Sequence, residues 1–107
     1  MAAKTKHITA KHPDPEQIEH ALRRSLAAWT GITSLADAWP SWDNHSRFDV
    51  ETDWPIQEDR LDQLKDWSRR GLLTDDQQCR YRELLTIVDL NRPVLEKLFE
   101  QIDLAAG

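Results

Sequence analysis

Ile18, Ala21, Leu22, Ser25, Leu26 and Trp29 fall on one helical face, opposite Glu19, His20, Arg23 and Arg24. Asp14-Pro15-Glu16-Gln17 precedes them with a capping aspartate, a proline at the first helical position and a glutamine at capping-box spacing. Thr30-Gly31 closes the pattern, so a first helix is expected over about 15–29. Ile56, Leu61, Leu64 and Trp67 predict a second helix over about 55–70. Asp53-Trp54-Pro55 starts it, Gly71 supplies the left-handed stop, and its acids and bases run in the order the helix dipole favours.

Thr74-Asp75-Asp76-Gln77 is the clearest capping box in the chain. Tyr81, Leu84, Leu85 and Val88 share a face of the helix it opens, expected over about 75–91. Val94, Leu95, Leu98, Phe99 and Ile102 follow Pro93 and predict a further helix over about 93–104. Tyr81, Val88, Leu95 and Ile102 are spaced by sevens, however, so the apolar stripe keeps its phase across the proline. A preserved phase favours one kinked helix over a hairpin. Asn91 falls on that stripe, where it can cap a broken helix, meet a polar group across the core, or specify pairing with another chain.

Between the first two predicted helices, Ser34 to Trp39 has room for one more helical turn, stopped by Pro40. The stretch AWPSWDNHSRFDVETDWP, residues 38–55, then has neither helical nor strand period and reads as a long irregular loop. It carries Trp39, Trp42 and Trp54, three of the five tryptophans of the chain. A segment of that length without regular structure is typically functional, disordered or held by its own side chains. The fold class expected is therefore all-α: a small bundle of three to four helices over residues 14–107, with a disordered basic tail over 1–13 and a long Trp-rich loop between helices one and two.

Only 39% of the 107 residues are hydrophobic and 31% are charged, which limits the core to a modest one. The net charge of −5 is uneven: residues 1–12 carry three lysines and no acid, whereas 43–66 carry eight acids against Arg47, Arg60 and Lys65. An acidic body repels phosphate backbones, which argues against nucleic acid as the main partner. No apolar stretch is long enough for a membrane span and none follows the basic N-terminus, so a cytoplasmic location is expected. Cys79 is the single cysteine and excludes an internal disulfide.

No metal or cofactor site is expected. The four histidines have no ligand spacing, and three glycines leave no phosphate-cradling loop. Asp43, His45, Asp49, Glu51 and Asp53 are the one cluster suited to acid–base or metal-assisted chemistry, but turn formation and solvation account for such residues in a loop. A helix-turn-helix is suggested by the short turn at Gly71, yet a recognition helix opening on Asp75-Asp76 would face phosphates with carboxylates.

The segment DRLDQLKDWSRRGLLTDDQQCRYRELLTIVDLNRPVLEKL, residues 59–98, combines a leucine-spaced helix, a Gly-x-Leu-Thr-x-x-Gln start, an Arg-Tyr pair and an Asn-Arg-Pro before a leucine-rich end. In these features it resembles small helical bacterial antitoxin-type proteins, partners of nucleotidyltransferase-like toxins. The resemblance implies a non-catalytic protein that masks a toxin. With the acidity, this points to a basic protein partner met by Trp39, Trp42, Phe48 and Trp54 as anchors and by Asp43, Asp49, Glu51 and Asp53 as steering charges. The alternative is a self-associating structural or regulatory module, a homodimer through the face of Tyr81, Val88, Leu95 and Ile102.

Overall fold

The computed structural model describes residues 13–106, with side chains described to Ile102. The expected basic tail lies outside the described residues apart from Pro13. The described residues form five α-helices and no strand: α1 (Pro15–Thr30), α2 (Ile32–Ala38), α3 (Asn44–Asp53), α4 (Pro55–Arg69) and α5 (Asp75–Ala106), with a 3-10 turn at Trp39–Ser41.

The expected helix starts and stops form as ordinary local chemistry. Asp14 and Gln17 cap each other reciprocally at 2.9 and 3.0 Å, and Thr74 and Gln77 do the same at 3.2 and 3.0 Å. Gly71, at φ 73°, ends α4 in a Schellman arrangement: the Gly71 N–H donates to the Ser68 carbonyl and the Leu72 N–H to the Trp67 carbonyl. Pro93 does not break α5, which runs 32 residues as one helix. At 1.5 Å per residue that is about 48 Å, close to the 49 Å long axis of the molecule.

The packing follows from which residues meet α5. Gln77 donates to the Pro15 carbonyl at 3.5 Å, Arg80 grips Glu19, and Asn91 donates to the Trp29 carbonyl at 2.9 Å. The sequence separations are 62, 61 and 62 residues, so α1 lies parallel to α5 and in fixed register with it. Ser68 meets Gln78, and Glu58 meets Arg92, so α4 runs back antiparallel to α5. The larger core fills the space among these three helices with Ile18, Leu22, Trp29, Leu61, Leu64, Trp67, Tyr81, Leu84 and Val88, all buried.

Because α1 ends and α4 begins beside the same stretch of α5, residues 31–54 form an excursion whose two ends meet. Trp29 and Trp54 close that neck edge to face, with centroids 5.1 Å apart, and the Arg92 guanidinium lies 5.1 Å from the Trp29 ring. The excursion covers the distal half of α5, where Trp39, Leu98 and Ile102 make a second, smaller core with help from Leu35, Trp42, Val50 and Phe99. Pro93 sits between the two halves.

Three expectations change. The stretch after Trp39 is largely helical, since α3 occupies 44–53. Ile56 is 57% exposed, because a five-residue step to Leu61 turns a helix by about 140° and takes Ile56 off the Leu61/Leu64/Trp67 face. The seven-spaced face Tyr81, Val88, Leu95 and Ile102 is buried within the chain, and Asn91 is bonded across the core to α1. That face is therefore not open to a second copy.

The Glu19–Arg80 pair is the strongest charged tie. Arg80 donates to both carboxylate oxygens, at 2.6 and 2.7 Å, and also to Asp76 at 2.8 Å. The hydrogen bonds from Arg80, then that from Gln77 and the charges of Arg80 and Arg23, outweigh partial desolvation and hold the Glu19 carboxyl at about 2, against an ordinary 4.5. A carboxyl lowered by folding contributes stability that is complete above the unfolded value and is lost as pH falls through the folded one. Urea midpoints measured from pH 5 to pH 2 should therefore fall with pH over the window between 4.5 and about 2, and Glu19→Gln should flatten that slope while lowering the midpoint at neutral pH.

Candidate partner-binding surface

The eight residues expected to meet a partner divide by burial. Trp39 is 1% exposed and forms the centre of the distal core, stacked on Trp42 at 6.0 Å and tilted against Phe99 at 6.4 Å. Trp54 is half-buried, packed on Trp29 in the larger core. Both bury their indole N–H without a hydrogen-bond partner among the described residues, as does Trp29. These three rings act as apolar plates, and the Trp39-Pro40 and Trp54-Pro55 positions mark where the excursion is fixed to α5 and to the neck.

Helix α3 forms although none of its residues is fully buried. Asp43 caps it, its Oδ1 accepting from the Ser46 N–H at 2.7 Å, and these hydrogen bonds hold the Asp43 carboxyl below its usual range. Arg47 donates twice to the Trp39 carbonyl, at 3.1 and 2.8 Å, with its guanidinium 5.7 Å from the Trp39 ring. Val50 packs on the distal core, and Trp54 follows at the C-terminal end. Arg47, Val50 and Trp54 are thus spaced i, i+3, i+7, a helical stripe disguised by having a cation in it.

Phe48 lies half a turn from Val50 and is 54% exposed. It does not line the concavity on the other side of α3, an open hollow of about 530 Å³ bordered by Ser41, Trp42, Asp43, Ser46, Asp49 and Val50. Of the four expected aromatic anchors, Trp42 and Phe48 therefore belong to different faces. Asp49 and Asp53 are exposed and Glu51 is half-buried. Ser41, Ser46 and Val50, which no periodicity marks, are the lining residues the sequence did not single out.

The acid–imidazole cluster offers little to catalysis. His45 Nε2 and Asp49 Oδ2 are 3.8 Å apart, with side chains 85% and 61% exposed, so water screens the pair. Among the described residues no group of three or more His, Cys, Asp or Glu side chains is placed to hold a metal ion, and no helix is long and apolar enough to cross a membrane. Cys79 is exposed on α5. What the surface offers is a partly exposed indole in an acidic hollow on a helix fixed to a rigid spine.

Comparison with protein-family models, with curated proteins and with solved structures finds no match to this chain.

The burial of these rings separates structural from surface aromatics. Trp39→Ala should cost about 3–5 kcal/mol, the usual range for an aromatic truncated in a core, and Phe48→Ala within about 0.5 kcal/mol of nothing. Chemical denaturation of the two variants checks the contrast, and equal losses would contradict it.

Proposed function

We propose that this chain is a non-catalytic protein-binding module, antitoxin-like or immunity-like, that masks a basic partner protein with the acidic, tryptophan-bearing excursion. The observation that carries this reading is the disposition of charge. Between Asp37 and Trp54 there are five carboxylates and one arginine, and that arginine, Arg47, is spent on the Trp39 carbonyl. With that one cation held against the ring and carbonyl of Trp39, the excursion keeps a formal charge of −4, five carboxylates less one guanidinium. Such a surface draws a basic protein into encounter, and a partly exposed tryptophan supplies apolar area that becomes dry on contact.

Of the eight residues named from the sequence, Trp42, Asp49, Glu51 and Asp53 are suited to direct contact, with Phe48 on the neighbouring face. Trp39 and Trp54 support them from behind, and Asp43 borders the hollow while it caps α3. The alternative, a homodimer, finds exposed apolar residues on α5 at Leu85, Leu90 and Val94, 40%, 69% and 36% exposed, rather than on the seven-spaced face. A DNA-binding use of α4 and α5 is disfavoured by the exposed carboxylates of Asp75 and Asp76 at the start of α5.

The test is co-expression with the product of the neighbouring gene, followed by isolation of a complex and titration of its components. A stable complex with a basic protein is expected, formed faster at low salt. The pair Trp42→Ser and Asp49→Asn should weaken it at least about tenfold, as for residues at an interface centre. Absence of a complex, or affinity untouched by both substitutions, overturns the reading.

A further inference from the structure

We infer that the hollow beside Trp42 is a seat for one arginine side chain of a basic partner, with the Trp42 ring as its platform and the Asp49 carboxylate as its counter-ion. This rests on the reading of the excursion as a protein-binding surface and specifies the chemistry of its contact.

The argument comes from how the fold treats its own tryptophans. Arg92 lies over Trp29 at 5.1 Å and gives a guanidinium hydrogen bond to the Glu58 carboxylate at 2.6 Å. Arg47 lies over Trp39 at 5.7 Å and gives its hydrogen bonds to the Trp39 carbonyl. In both, an indole face and an oxygen acceptor hold one planar cation. Trp42 borders a hollow that the Asp49 carboxylate also lines, and among the described residues no arginine lies over its ring. Its ring is stacked on Trp39, interplanar angle 29°, so it is supported from within and borders the open hollow. Asp49 lines the same hollow, and Val50 offers an aliphatic wall for the side-chain stem. Its volume, about 530 Å³, exceeds what one side chain fills, so flanking backbone of a partner has room to enter.

The charges favour a cation over an anion. The positive end of α3 opens here, but the Asp43 carboxylate already accepts the Ser46 N–H and offsets it. Any phosphate or carboxylate ligand would face Asp43 and Asp49 together. The His45 contact to Asp49, at 3.8 Å and in water, does not compete with a guanidinium. Arginine is favoured over lysine because its flat, weakly hydrated fork stacks on an indole and still reaches a carboxylate, whereas an ammonium keeps its water.

The experiment uses the whole chain, ¹⁵N-labelled, titrated with acetyl-Gly-Arg-Gly-amide while the indole N–H resonance of Trp42 is followed, assigned through Trp42→Phe. A saturable shift of Trp42 is expected, with the Trp67 indole unmoved. The citrulline analogue, equal in shape and uncharged, should give no shift, and the lysine analogue should bind more weakly. Asp49→Asn should weaken the arginine peptide about two- to fivefold, the size of an exposed ion pair, with the Trp39 indole resonance in place as proof of fold. No shift at Trp42 up to the solubility limit, equal shifts with citrulline or lysine, or a shift with inorganic phosphate would each overturn the seat. A seat that binds arginine while no partner complex is found leaves this inference standing and removes the proposed function. A partner complex with a silent Trp42 does the reverse.

Discussion

Everything in this fold depends on the register between α1 and α5. The two helices are joined at Pro15–Gln77, Glu19–Arg80 and Trp29–Asn91, all at offsets of 61 or 62 residues. Since parallel helices rise equally per residue, equal offsets mean the ties lie side by side along the interface, and a slip of one residue would break all of them together. Apolar packing alone is less exacting, because leucine and isoleucine faces accept shifts that directional bonds do not. The polar ties choose one alignment, and the apolar residues between them supply the bulk of the stabilisation.

That register decides where the chain must leave and re-enter the body. α1 ends opposite Asn91 and α4 passes Arg92 through Glu58, so the excursion from 31 to 54 departs and returns at one level of α5. The Trp29–Trp54 contact closes its neck. The excursion packs its first turn into the larger core through Ile32, and Trp39, Leu98 and Ile102 fix the rest on the distal half of α5. The result is two tiers of unequal strength: a body with a broad buried core, and a cap in which α3 buries no residue fully. Its ten residues are too few to form a helix alone in water. The Asp43 cap, the Arg47 tie and the Trp54 anchor hold it in place, and its acids face outward as a consequence.

The capping boxes at Asp14 and Thr74, the stop at Gly71 and the phase of the stripe across Pro93 were legible in the sequence because each is set by residues within a turn or two. The polar partner of Asn91 across the core was among the options its position allowed, but choosing it required the register of α1, which no local pattern encodes. Helix α3 was not legible, since Asn44, His45 and Ser46 are indifferent helix formers and its inner stripe contains Arg47 in place of an apolar residue. The same hidden helix separated Phe48 from Trp42, which a loop would have left free to act together. Trp39 and Trp54, expected from the sequence as partner anchors, pack instead against the helical body, Trp39 in the distal core and Trp54 on the larger one.

Residue-resolved native-state hydrogen exchange separates an acidic cap of lower stability from the body that α1 and α5 hold in register. Amides of α1, of α4 and of α5 as far as Asn91 should share the highest opening free energy, and those of α3 should exchange at a clearly lower one while still protected relative to an unfolded chain. Protection of α3 equal to that of α1 would contradict the two tiers, and no protection across 44–53 would contradict the helix itself.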